Sequence, residues 1–186
     1  MKEKHPILYE ILDFAKMILF SFIFVLLLTN FIIRPVQVMG PSMHPTLKNE
    51  EMGFTNIISL KLSGIQRYDV VVAYLETKDE QIVKRVIGMP NDTICCVDGV
   101  VYVNGEAIDE YYLDDNYVFE QSQLQFDGKF TKDFSEFVLG DDEYFLLGDN
   151  RLHSSDSRVF GVFQKEDIVS KHVYVWYPFS EMRVVK

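Results

Sequence analysis

A basic surface is the first thing this chain lacks. It carries 28 acidic and 18 basic side chains, a formal net charge of -10 at pH 7. Nucleic-acid binding needs a positive face, so nucleic acid is excluded as the main partner, and no polybasic patch marks a lipid-headgroup site. Metal-ligand spacing is also missing. The two cysteines, Cys95 and Cys96, are adjacent. A strand turns neighbours to opposite faces, and a disulfide between them has poor geometry. Both read as free thiols, and no metal or cofactor is expected. Internal repeats and low-complexity linkers are absent. At 186 residues, the chain can hold one compact domain plus an appendage.

One long apolar run is present. Met17 to Ile33 reads MILFSFIFVLLLTNFII, without charge, between Lys16 and Arg34. At about 1.5 Å per residue it spans roughly 26 Å, enough to cross a hydrocarbon core. Lys2, Lys4 and Lys16 precede it and only Arg34 closely follows. That bias places the N-terminus in the cytoplasm and the rest outside. A cleavable leader fits poorly. The first residues include Glu3, Glu10 and Asp13, and the faint site Val38-Met39-Gly40 would leave Pro41 as the new N-terminus. A buried core helix would show a polar face. The expected plan is therefore a cytoplasmic tail (1–16), one transmembrane helix (17–33) and an extracytoplasmic domain (34–186).

Beyond the run, short alternating stretches alternate with turn signals. Asp69 to Tyr74, Ile82 to Ile87, Thr93 to Val97, Val100 to Val103, Tyr144 to Leu147 and Val173 to Tyr177 read as strands. Asp98-Gly99 and Asn104-Gly105 are tight-turn dipeptides that accept positive φ. Lys165 to Ser170 reads as a short helical turn. Residues 113–142 are acidic and aromatic without a motif, and read as a variable insertion or cap. The fold class is mainly β, an antiparallel sheet domain on one N-terminal helix.

Three elements carry chemistry. Ser42 lies in Gly40-Pro41-Ser42-Met43-His44-Pro45-Thr46-Leu47. The second glycine of a nucleophile elbow is replaced by His44, which excludes that pattern. Gly40 lets a substrate approach, Pro41 and Pro45 stiffen the segment, and the Ser42 N–H is a natural oxyanion donor. Lys84 shares a strand face with Ile82 and Val86, and Arg85 the other with Val83 and Ile87. A surface lysine would snorkel; a buried one loses its proton more readily. Moving a lysine from about 10.4 to near 8 costs roughly 3 kcal/mol, which aliphatic surroundings can supply. The third element is the polar loop Gly148 to Arg158. It holds His153, so a triad of Ser42, His153 and Asp149 or Asp156 stays open. His44 reads as a specificity or surface residue.

Together these boxes resemble bacterial type I signal peptidase, in its short single-span form. The resemblance covers nearly the whole chain in order: the apolar run, Gly40-x-Ser42-Met43-x-Pro45-Thr46-Leu47, Arg67-x-Asp69-Val70-Val71, Lys84-Arg85-Val86-Ile87-Gly88, the Asp98-Gly99 to Asn104-Gly105 hairpin, and Gly148-Asp149-Asn150-Arg151 through Arg158. It implies a Ser/Lys endopeptidase that removes signal peptides from exported preproteins after small residues at -3 and -1. It implies Ser42 as nucleophile, Lys84 as general base, Ser154 orienting the lysine, and Asp149, Arg85, Asp156 and Arg158 as support. Val38, Met43, Leu47 and Val83 match positions lining the substrate pockets, and the domain's apolar rim would rest on the bilayer. Longer relatives have serine at Gly40, where the hydroxyl serves the oxyanion, so beside the Ser42 N–H the second donor here is open between backbone, with Gly40 the candidate, water and nothing. Asn often stands at His153, and glycine at Tyr68 and Asn91; Asn tolerates positive φ next best. A catalytically silent tethered binding domain of the same fold is the alternative, and a self-cleaving Ser/Lys repressor-type protease a more distant one.

Overall fold

The computed structural model describes residues 6–186, so Lys2, Glu3 and Lys4 lie outside the described residues. Helix α1 runs Pro6–Phe31. Its Tyr9–Phe31 segment has mean hydropathy 2.4 and is long and apolar enough to cross a membrane. The helix thus starts well before residue 17. It also stops before 33, because Pro35 disfavours helical backbone at Arg34. Ile33 already opens strand β1. Two polar residues of the run bond back within the helix. Thr29 Oγ1 donates to the Val25 carbonyl at 2.9 Å, and Asn30 Nδ2 to that of Leu26 at 2.7 Å.

The remainder is antiparallel β structure. The strands are β1 (Ile33–Gln37), β2 (Met52–Asn56), β3 (Val70–Leu75), β4 (Glu80–Gly88), β5 (Thr93–Val97), β6 (Val100–Val103), β7 (Glu106–Ala107), β8 (Phe134–Val138), β9 (Glu143–Leu147), β10 (Phe163–Gln164), β11 (Ile168–Tyr177) and β12 (Arg183–Val185). Short helices α2 (Ile57–Ser63), α3 (Asp115–Gln123) and α4 (Ser157–Phe160) connect them. The main sheet has the order β1-β2-β11-β3-β4-β9-β10, with β12 on β11; the second has β7-β6-β5-β8.

The hairpin reading holds. Asp98 (φ 52), Gly99 (φ 79), Asn104 (φ 54) and Gly105 (φ 82) are all left-handed, as the two tight turns require. Asn91 is left-handed too, at φ 67. Two expectations are revised. Only Lys165–Asp167 form a helical turn, of 3-10 type, and Ile168 already belongs to β11. Residues 113–142 are not merely a cap. Asp114 caps α3 by accepting from the Tyr117 N–H, but β8 pairs with β5 and completes the second sheet.

Three apolar clusters fill the interior. One gathers Val71, Val86, Leu146 and Phe163; a second holds Ile87, Ile94, Cys96 and Phe145 between the sheets. The third gathers Val38, Met43, Leu47, Val70 and Val173. Cys95 and Cys96 are free thiols, and burial pushes the Cys96 thiol up to about 11. That makes Cys96 a core residue rather than a nucleophile.

Candidate active site

The third cluster is the floor beneath Ser42. Met43 is almost wholly buried, so its anchoring fixes the serine one residue earlier. The loop is also held from behind. The Asn150 N–H donates to the Ser42 carbonyl at 3.0 Å, and Asn150 Nδ2 to that of Pro41 at 3.1 Å. On the far side, the buried Glu51 takes a two-pronged ion pair from Arg183, whose Nη2 also donates to the Thr46 carbonyl at 2.6 Å. Asn150, Glu51 and Arg183 escaped sequence reasoning. Only a buried acid flanked by polar residues could have hinted at Glu51, and in a sequence it looks like any surface glutamate.

Lys84 arrives from β4. It lies opposite Val71 in the β3–β4 register and is 3% exposed. Its Nζ is 2.8 Å from Ser42 Oγ and donates to the Val83 carbonyl at 3.0 Å. Burial lowers the lysine to about 8, against the raising charges of Asp156, Asp149 and Glu80. An amine so placed keeps an accessible neutral fraction near physiological pH, far larger than a free lysine's, and is in reach of the serine proton.

The polar loop packs behind this pair. Asp149 takes both arms of Arg85, at 2.9 and 2.7 Å, and accepts from Thr46 Oγ1 at 2.6 Å. Arg85 also donates to the Tyr68 carbonyl at 2.7 Å, and its guanidinium lies 4.3 Å from the Tyr112 ring. Tyr68 itself sits at φ 74, strained for a bulky residue, and its ring packs against Tyr111 and Tyr112. Asp156 accepts from the Gly148 N–H at 3.0 Å and pairs with Arg158 at 2.7 Å. Burial opposes its charge, but the Arg158 pairing and the Gly148 bond hold it below the usual carboxylate range. The buried Arg151 ties the same loop to Glu110, Tyr112 and Thr131.

Several expected site residues are placed differently. Ser154 Oγ is buried but makes no hydrogen bond among the described residues, so the expected bond to Lys84 is not formed. The Gly40 N–H is donated to Asn49 Oδ1 at 2.7 Å, which removes it as an oxyanion donor. Gly40 is left-handed at φ 85. Leu47 is fully buried in the third cluster, behind Met43 rather than on a pocket wall. His153 is exposed on its turn, while Asp149 and Asp156 are taken by arginines, so the triad has no relay. His44 packs edge-on against Tyr117 of α3, with ring centroids 5.1 Å apart.

Gly148 has a steric role. A methyl group there would collide with Ser154 Oγ and with the Ser42 carbonyl oxygen. Gly148→Ala should therefore push the serine loop off Lys84. A loss in kcat on the order of 10²-fold is expected, with KM changed less.

A cleft of about 280 Å³ opens in front of the pair. Its walls include Val36, Val38 and Met39 on one side and Glu80 to Lys84 on the other, with Ser42 and Met43 at the end. Val38, Met43 and Val83 are on its walls. β1 is the edge of the main sheet, and β9 pairs with β4 only from Arg85 onward. The cleft therefore lies between two unpaired strand edges.

An antiparallel β domain on an apolar helix, with serine and buried lysine at the head of an open sheet edge, has the layout of a peptidase. The chain belongs to the family described as signal peptidase, peptidase S26, which it matches over residues 11–177. It is 40% identical over 177 residues to signal peptidase I S of Bacillus subtilis strain 168, covering 94% of this chain and 93% of that protein. It is 37% identical to signal peptidase IB of Staphylococcus aureus strain COL, over 94% of this chain and 93% of the relative. Among solved structures, a signal peptidase I from Enterococcus faecalis V583 superposes with a TM-score of 0.50 at 26% identity, covering 57% of this chain and 95% of that one.

Proposed function

We propose that this protein is a membrane-anchored signal peptidase that removes N-terminal signal peptides from exported preproteins with a Ser42/Lys84 dyad. The 2.8 Å approach of Lys84 Nζ to Ser42 Oγ, with the lysine buried, carries the reading. Helix α1 crosses the bilayer once, with its N-terminus in the cytoplasm and residues 34–186 outside. No metal or cofactor takes part.

The cleavage region of the preprotein enters the cleft as an added strand, using main-chain hydrogen bonds to the free edges of β1 and β4. Side chains at -1 and -3 face apolar walls that include Val38, Met43 and Val83, and large ones clash. Neutral Lys84 takes the Ser42 proton as Oγ attacks the scissile carbonyl. The Ser42 N–H stabilises the oxyanion. The ammonium then protonates the departing amine, and a water activated by the same amine releases the acyl-enzyme. Ser154 can swing its unpartnered hydroxyl toward the lysine and orient it. Asp149, Arg85, Asp156 and Arg158 hold the loops in place.

The test is cleavage of a preprotein bearing an Ala-x-Ala site, followed against pH in liposomes. Cleavage is expected after the second alanine. The rate should fall about tenfold per unit well below pH 8 as Lys84 protonates, and level off above it. A profile flat from about pH 6 to 10 would remove Lys84 from the role of base.

A further inference from the structure

Glu80 is the one charged side chain besides Lys84 that lines the cleft, among the described residues. We propose that Glu80 is a specificity residue that reads the charge of the substrate side chain at -4, favouring lysine or arginine and disfavouring aspartate or glutamate. The proposal rests on the dyad and strand-addition reading above.

Strand directions set the geometry. β1 is antiparallel to β2, β2 to β11, β11 to β3 and β3 to β4, so β1 and β4 run in the same direction on either side of the cleft. Both lead toward Ser42 and Lys84. An entering strand with its scissile carbonyl at Ser42 runs the same way. Residues 80, 82 and 84 share one face of β4. Successive substrate residues advance about 3.3 Å, as β4 does. Val83, which borders the -1 and -3 pockets, lies on the opposite face, so -1 falls level with Val83 and -3 with Gln81, while -2 and -4 fall level with Ile82 and Glu80 on the face of Lys84.

The glutamate is available for this. Its cross-strand partner is Leu75, which leaves its outer edge toward the cleft. Lys78 lies 3.7 Å away, but both side chains are about half exposed, so the pair is loose. The Tyr74 hydroxyl is engaged by Asp79 instead. The rest of the lining toward that end is neutral, with Gln37, Gln81, Pro35 and Val36. A charge at -4 therefore meets the Glu80 carboxylate, which Lys78 only loosely shares.

The experiment uses the full chain in liposomes and three preproteins with the same Ala-x-Ala site, carrying Lys, Gln or Asp at -4. With wild type, kcat/KM should favour Lys over Asp by about fivefold, fading at high salt. Glu80→Gln should bring that ratio to about 1, and Glu80→Lys should reverse it. Equal cleavage of all three by wild type would overturn the proposal while leaving the dyad reading intact. So would a preference that survives in Glu80→Gln. No cleavage even of the Gln substrate would overturn the dyad reading, and this proposal with it.

Discussion

Lys84→Met should lose cleavage by at least about 10³-fold while the domain stays folded and becomes more stable at neutral pH. The two effects have one cause. Lys84 is 3% exposed, and burial lowers it to about 8 from the ordinary lysine value of 10.5. The unfolded chain therefore holds the lysine proton more tightly than the folded one. Below pH 8 both states are protonated, and the folded state carries the full cost of a buried ammonium. That cost is on the order of 3 kcal/mol, less what the bonds to Ser42 and Val83 return. Between about pH 8 and 10.5 the folded chain is neutral while the unfolded one still binds its proton, so wild-type stability climbs with pH. Methionine fills similar space without a charge. Its advantage in urea midpoint should be largest below pH 8 and shrink toward 10.5. An inactive variant no more stable than wild type at pH 7 would show that the lysine is not strained by burial. An active variant would place the base elsewhere.

Asp149→Ala should destabilise the domain by about 3–5 kcal/mol, because it strands a buried guanidinium. Arg85 is 3% exposed and Asp149 1%, with two parallel hydrogen bonds between them. Water cannot replace the carboxylate at that depth. The main-chain oxygens of Tyr68 and Lys186 and the Tyr112 ring still face the arginine, but none replaces the two-pronged carboxylate. The Thr46 hydroxyl loses its acceptor as well, loosening the segment after Ser42. The denaturant midpoint checks the loss. Arg85→Met with Asp149→Leu should recover much of it, because an apolar pair leaves no orphan charge. A second readout separates electrostatics from packing. Asp149 raises Lys84, so its removal should move the acid limb of the pH profile below 8. An unmoved limb would mean that the carboxylate acts on the fold alone.

Much of the fold is legible in short windows. The apolar run announced α1, and alternation marked β3, β4, β5, β6 and β9. Asp-Gly and Asn-Gly placed both tight turns. The misses have local reasons. β1 contains Pro35, which argues against a strand; it survives because β1 is an edge that needs few donors. α3 has weak apolar periodicity and no buried residue, so its sequence resembles a loop. β8 is hidden in an acidic, aromatic stretch, and its place became evident only from the pairing with β5.

By itself, the sequence determined the membrane-length helix, the β class, the absence of a basic face and the two side chains able to exchange a proton. Each depends on hydropathy, alternation or residue chemistry within a few positions. Tertiary structure decided that Lys84 is buried rather than snorkelling. It also decided that Ser42 lies beside it across 42 positions of chain, and that Asp149 meets Arg85 across 64. It turned Leu47 into core, left the Ser154 hydroxyl without a partner among the described residues, and opened an unpaired edge beside Glu80. Those outcomes depend on which strands close against which, a long-range property that no local pattern encodes.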